Sequence, residues 1–171
     1  MVIETPHLRL RRDHIELPSG RRIGSYYVRE SRGFAVVFAL TEGDRVVLVR
    51  QYKHGIGKVV LELPAGGIDP DETPDNCARR ELAEETGYAG TLEHVGSYVF
   101  DPTSATTLYH LYLARDARSA GLPAFDDTED IETVLATLSE VRQYVRDGTI
   151  EVGVHIAAIY SVLDRLGRLS A

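Results

Sequence analysis

Residues 66–88 read Gly-Gly-Ile-Asp-Pro-Asp-Glu-Thr-Pro-Asp-Asn-Cys-Ala-Arg-Arg-Glu-Leu-Ala-Glu-Glu-Thr-Gly-Tyr. Thr73-Pro74-Asp75 is a helix start: the threonine caps, proline suits the first turn, and aspartate favours the positive end of the helix. The spacing predicts a helix to about Thr86, stopped by Gly87. On that helix Glu81 and Glu85 share one face, about 6 Å apart along the axis, and Glu84 borders it. Three carboxylates crowded on one face repel each other and call for a counter-charge. Hard oxygen donors at this density suit Mg²⁺ or Mn²⁺. Arg80, four residues before Glu84, is placed to orient it through an ion pair.

Upstream the pattern is β. His7 to Leu10 alternates, and Leu17-Pro18-Ser19-Gly20 is a turn. Arg22 to Glu30 is a strand, as is the apolar run Phe34 to Leu40. The turn at Glu42-Gly43-Asp44 leads into Val46 to Arg50, so these two runs form a hairpin. Val59 to Leu63 is a further strand, and Pro64 to Pro70 reads as a loop. Downstream, Leu92 to Phe100, Leu108 to Leu113 and Thr133 to Thr137 are strands. Ser139 is expected to cap a short helix ended by Gly148. Val152, Ile156, Ile159, Leu163 and Leu166 follow a helical period. Strands, one central helix, more strands and two closing helices make an α+β chain.

The chain has 171 residues, enough for one domain with its own core. A formal net charge of −7 argues against nucleic-acid polymers and anionic membranes as partners. The acidity is not spread evenly. Seven acids in residues 66–88 face only Arg79 and Arg80, residues 126–132 hold five acids and no base, and the remainder is net basic. One cysteine, Cys77, leaves no intrachain disulfide and no cysteine-based zinc site. No apolar run approaches membrane-spanning length, and Met1 to Arg12 lacks a signal-peptide core, so the expected location is the cytoplasm.

The box from Gly66 to Tyr88 resembles the Nudix box, G-x5-E-x7-R-E-U-x-E-E-x-G-U, where U is a bulky apolar residue. All its fixed positions are present: Gly66, Glu72, Arg80, Glu81, Leu82, Glu84, Glu85, Gly87 and Tyr88. Tyr88 is aromatic where the pattern is usually aliphatic. Val49-Arg50-Gln51-Tyr52-Lys53 and Leu61-Glu62-Leu63-Pro64-Ala65-Gly66 are similar to the strand and loop signature of ADP-ribose pyrophosphatases within that superfamily. The subfamily typically carries arginine where Lys53 stands. Pro102, 15 residues after Gly87, is a further marker, but Thr103 to Thr107 depart from the usual Ser-Pro-Gly continuation and its following glutamate.

The resemblance implies an α/β/α sandwich with a mixed central sheet. An N-terminal antiparallel β extension (residues 1–32) would precede the hydrolase domain (residues 33–171) and build a homodimer. It implies metal held by Glu81, Glu84, Glu85, the Ala65 carbonyl and Glu129, with Asp127 or Glu129 as the general base. It also implies substrate contacts from Tyr26 or Tyr27 on a base, from Arg50 and Lys53 on phosphate, and from Pro102. The activity would be hydrolysis of ADP-ribose or a related nucleoside diphosphate sugar to a nucleoside monophosphate and a sugar phosphate. Two alternatives stand beside it. One is another substrate, such as GDP-mannose, a dinucleotide or a damaged nucleoside triphosphate. The other is a catalytically silent nucleotide-sugar sensor, although silent members usually lose box carboxylates that this chain keeps.

Overall fold

The computed structural model describes residues 1–5, 8–124 and 130–169. β1 (Ile3–Glu4), β2 (Arg9–Glu16) and β3 (Arg22–Glu30) form a separate antiparallel sheet. The main sheet contains β4 (Phe34–Thr41), β5 (Arg45–Lys53), β6 (Lys58–Glu62), β7 (Ala65–Gly67), β8 (Tyr88–Val99), β9 (Leu108–Ser119) and β10 (Ile131–Thr137). Its order is β10-β5-β4-β9-β8, with β6 on β5 and β7 on β4. The β4–β9 pair is parallel and the others are antiparallel, so the sheet is mixed. The helices are α1 (Pro74–Thr86), α2 (Leu138–Arg146) and α3 (Gly153–Arg165).

The sheet positions the site through a split. β4 and β5 share ladder bonds only at Ala39 and Leu40, beside their turn. Beyond that they part, β6 pairing with Val49–Lys53 and β7 with Phe34–Val36. Residues 65–67, expected as loop, are therefore a short strand. The edge of β4 left open by β5 accepts the backbone of Ala65-Gly66-Gly67, which contributes almost no side-chain bulk.

Alternation along β4 divides the core. Val36 and Phe38 join Leu48, Leu111, Leu113, Ile159, Val162 and Leu163 on the α3 side. Ala35, Val37 and Ala39 join Cys77, Ala78 and Leu82 on the α1 side. The small residues of the second layer let α1 lie close to the sheet, bringing its carboxylates to the split. Cys77 is buried there, with its thiol pushed up to about 12 mainly by that burial, so it is a packing residue rather than a nucleophile.

The caps of α1 are those its sequence predicts. Thr73 accepts from the Asn76 amide, Pro74 opens the helix, and Gly87 closes it at φ 71°. A side chain at Gly87 would also meet the Gly121 carbonyl at 2.5 Å, so glycine is required twice over. The second helix differs from expectation. Thr137, not Ser139, is the cap, in a reciprocal box with Glu140, because β10 runs straight into α2 and leaves Ser139 inside the first turn.

The N-terminal sheet is fastened to the core by the β8–β9 connection. The Tyr26 hydroxyl donates to the Thr103 carbonyl at 2.6 Å, Arg29 N–H donates to Ser104, and Thr106 N–H donates back to Arg29.

Candidate active site

Arg80 organises the outer half of the site. Its Nε and one terminal nitrogen donate to the two oxygens of Glu72 at 2.9 and 2.8 Å. The other terminal nitrogen donates to Glu81 at 2.6 Å and to Glu84 at 3.1 Å. A further bond reaches the Gly67 carbonyl. The sequence expectation paired Arg80 with Glu84, but the planar guanidinium also spans Glu81 and Glu72, tying the loop after β7 to the helix. The Glu72 carboxyl is held down to about 2, chiefly by the Arg80 hydrogen bonds.

Glu81 lies against the chain at Gly66. A Cβ on Gly66 would stand 2.0 Å from the Glu81 carboxyl carbon, so the glycine makes room for the carboxylate. Glu85 faces inward and is 4 % exposed. It accepts from the Ala65 amide at 2.9 Å and from Gln51 Nε2 at 3.4 Å. Burial pushes its carboxyl up to about 8, the Ala65 amide opposes the shift, and the neighbouring Glu81 and Glu62 charges add to it. Among the described residues no three His, Cys, Asp or Glu side chains already converge as a metal cage. Even so, the donors suit a hard divalent cation: oxygen ligands only, two of them bound to a displaceable guanidinium, and one buried carboxyl whose ionisation the Ala65 amide and the Lys53 charge compensate only in part.

Glu62 makes a second polar centre. It is 2 % exposed and its two oxygens take three donors: Lys53 Nζ at 2.7 Å, Gln51 Nε2 at 2.8 Å and His155 Nε2 at 3.1 Å. Burial works to raise its pKa, but His155 and Lys53 outweigh it and hold the carboxyl below the ordinary range. Beside this centre opens a cleft of about 390 Å³, lined by Phe34, Lys53, Ile56, Gly66, Phe100 and His155 among others. Phe34 and Phe100 meet edge to face with centroids 5.4 Å apart.

Glu81, Glu84, Glu85 and Ala65 are thus brought together, with Lys53 on the adjoining cleft. Arg50 is not in that lining: it pairs with Glu132 across the β5–β10 ladder. Tyr26 bonds the carbonyl of Thr103, the residue after Pro102 in the β8–β9 connection, and Tyr27 is exposed. Asp127 and Glu129 lie outside the described residues. The described chain on either side is tied to the site: Ala124 N–H donates to the Glu84 carbonyl, and Ile131 pairs with Gln51.

Glu62, Gln51 and His155 are not singled out by the sequence as site residues, although Glu62 and Gln51 fall within the strand and loop signature. A glutamate in the apolar strand Val59 to Leu63 is a signal for the first. For His155 nothing local gives one, because its partner is 93 residues away.

Residues 30–152 match the NUDIX domain, and residues 1–28 match the nucleoside diphosphate sugar hydrolase N-terminal domain. The chain is 33% identical over 145 residues to the methanol dehydrogenase activator of Bacillus methanolicus, covering 84% of this chain and 78% of that one. It is 29% identical over 135 residues to the ADP-ribose pyrophosphatase of Bacillus subtilis, covering 78% and 72%. The crystal structure of an ADP compounds hydrolase superposes with a TM-score of 0.82 at 23% identity, over 98% of this chain and 92% of that one, which speaks to the fold alone. Among the described residues no helix is long and apolar enough to cross a membrane. Nudix hydrolases generally use divalent cations, and the oxygen donors gathered on α1 and β7 accord with that. The intact box, set on this sheet and matched over residues 30–152, identifies the chain as a member of the Nudix family, a pyrophosphohydrolase similar to the ADP-ribose pyrophosphatases.

Proposed function

We propose that this protein hydrolyses the diphosphate of ADP-ribose or a related nucleoside diphosphate sugar, with Mg²⁺, to a nucleoside monophosphate and a sugar phosphate. One observation carries the reading. Ala65 and Gly66, against which Glu85 and Glu81 are held, form one wall of a cleft that also presents Lys53, Glu62, His155 and the aromatic pair Phe34 and Phe100. Such a cleft suits a diphosphate beside an uncharged moiety better than a triphosphate tail, because the Lys53 charge is already matched by Glu62.

Glu81, Glu84, Glu85 and the Ala65 carbonyl would hold the ion, joined by Glu129. Bound Mg²⁺ supplies neutralisation of the diphosphate and a more acidic water. Mn²⁺ would fit the same donors. Lys53 binds a phosphate oxygen as a point charge. Arg50 would reach phosphate only by giving up Glu132. Asp127 or Glu129 removes the proton of the attacking water. Phosphorus is the electrophile, so the protein contributes mainly position and charge.

The N-terminal extension, which we bound at residue 32, is proposed to pair two copies. Met1, Val2, Ile3, Leu8 and Tyr27 are exposed apolar side chains on it or beside it. A homodimer acting in the cytoplasm, with Tyr26 or Tyr27 against the base and Pro102 in the adjoining loop, is the arrangement these residues support. Light scattering at micromolar concentration tests it, and a monomer would reject it.

The departures at Lys53, Thr103 and Thr107 favour a second reading, a different diphosphate substrate such as GDP-mannose. A panel of ADP-ribose, GDP-mannose, dinucleotides and triphosphates with Mg²⁺, read as phosphate after phosphatase coupling, separates the two. We expect the highest kcat/KM on ADP-ribose. A triphosphate preference would contradict both readings.

A further inference from the structure

The Glu62 carboxylate sits between α3 and the cleft, and its two oxygens are used unequally. One accepts from Lys53 and Gln51, and the other accepts from His155 Nε2 at 3.1 Å. His155 belongs to neither the box nor the strand-and-loop signature. It is 5 % exposed and stands in the first turn of α3, where its own amide donates to the Val152 carbonyl. Among the described residues its Nδ1 has no partner, so Glu62 is the side chain's sole hydrogen-bond attachment.

A buried carboxylate must satisfy both oxygens. With His155 holding one, the other is left to grip Lys53, whose flexible stem would otherwise sample many rotamers at the cleft edge. Without His155 the free oxygen would compete for the same ammonium, which would bridge both oxygens and withdraw from the cleft.

We propose that His155 is a positioning residue that, through Glu62, holds the Lys53 ammonium out toward the substrate diphosphate. This rests on the reading of Lys53 as a phosphate-binding group. It predicts an effect on substrate capture rather than on the chemical step.

The test compares His155→Leu, His155→Gln and Lys53→Ala, alone and combined, with ADP-ribose and saturating Mg²⁺. His155→Leu should raise KM about tenfold and leave kcat within about threefold. His155→Gln retains an N–H for Glu62 and should return KM to within about threefold of the parent. Lys53→Ala should match His155→Leu, and the double variant should be no worse than Lys53→Ala alone, since both act through one group. A second readout needs no substrate: acylation of Lys53 in the unliganded protein, followed by mass spectrometry, should fall about threefold in His155→Leu and recover in His155→Gln, by the burial argued above. If His155→Leu does not fold, as judged by circular dichroism, His155→Asn, too short to reach Glu62, replaces it.

Impaired Lys53→Ala beside an unaffected His155→Leu would overturn the role of His155 alone. Unaffected Lys53→Ala would overturn the reading of Lys53, and the proposal with it. Failure of the parent protein to turn over ADP-ribose, with the labelling change intact, would sink the substrate assignment and support His155.

Discussion

Glu72 and Glu85 bracket the same helix and are held at opposite ends of the carboxylate range. Glu72 is gripped by Nε and one terminal nitrogen of Arg80 and lies down at about 2. Glu85 is buried beside two other carboxylates and is pushed up to about 8. Both are box positions, and charge counting treats them alike. The first fastens the loop to α1, and its partner is built in. The second is left short of positive charge, which is the condition a divalent cation relieves. Acid density therefore points to the box, and burial separates the acid already held by arginine from the one proposed to bind metal.

Replacing Glu85 with Gln should break the difference most severely. Turnover should fall about 10³-fold or more, since one glutamine oxygen cannot replace an anionic ligand. Without metal, the same variant should be as stable as the parent or more so, because glutamine never carries the charge whose burial lifts the Glu85 pKa to about 8. Steady-state kinetics and urea unfolding check the two halves. Lost turnover is also what separates an enzyme from a silent sensor, which would keep its ligand response.

Arg80→Ala should lower activity about 100-fold by freeing Glu72, Glu81 and Glu84 together, and should cost about 2–4 kcal/mol in urea unfolding. Gly66→Ala tests the space that Glu81 occupies. The added methyl should lower stability by about 1–3 kcal/mol and activity by a comparable factor, because the carboxylate must move. Restored activity in Gly66→Ala with Glu81→Asp would locate the clash.

The two acids should also have opposite pH signatures in metal-free protein. The folded pKa of Glu85 is raised, so its contribution favours folding below about 4.5 and is lost as pH rises toward about 8. The folded pKa of Glu72 is depressed, so its contribution is full above about 4.5 and is lost as pH falls toward about 2. Urea midpoints with EDTA from pH 3 to 9 should show both limbs. The upper limb should vanish in Glu85→Gln and flatten with Mg²⁺.

How much of this is legible in the sequence follows from range. The ends of α1 are written locally, with Thr73, Pro74 and Gly87 each within a few residues of the group they satisfy. The carboxylate face follows from helical spacing alone. β7 is not legible, because Ala65-Gly66-Gly67 carries no strand pattern and becomes one only when β5 leaves an edge of β4 open. The Thr137 cap was hidden because a strand meets a helix with no intervening turn. Gln51, Glu62 and His155 come from β5, β6 and α3, and only the tertiary fold makes them one centre.

Calorimetric titration of Mg²⁺ into the parent protein and into Glu85→Gln at pH 7 tests most directly whether the buried acid is the metal-binding one. The parent should bind Mg²⁺ and release protons, seen as a heat that varies with buffer ionisation, while Glu85→Gln should bind at least about tenfold more weakly with no such release. Equal affinity and equal proton release in the two proteins would contradict the account.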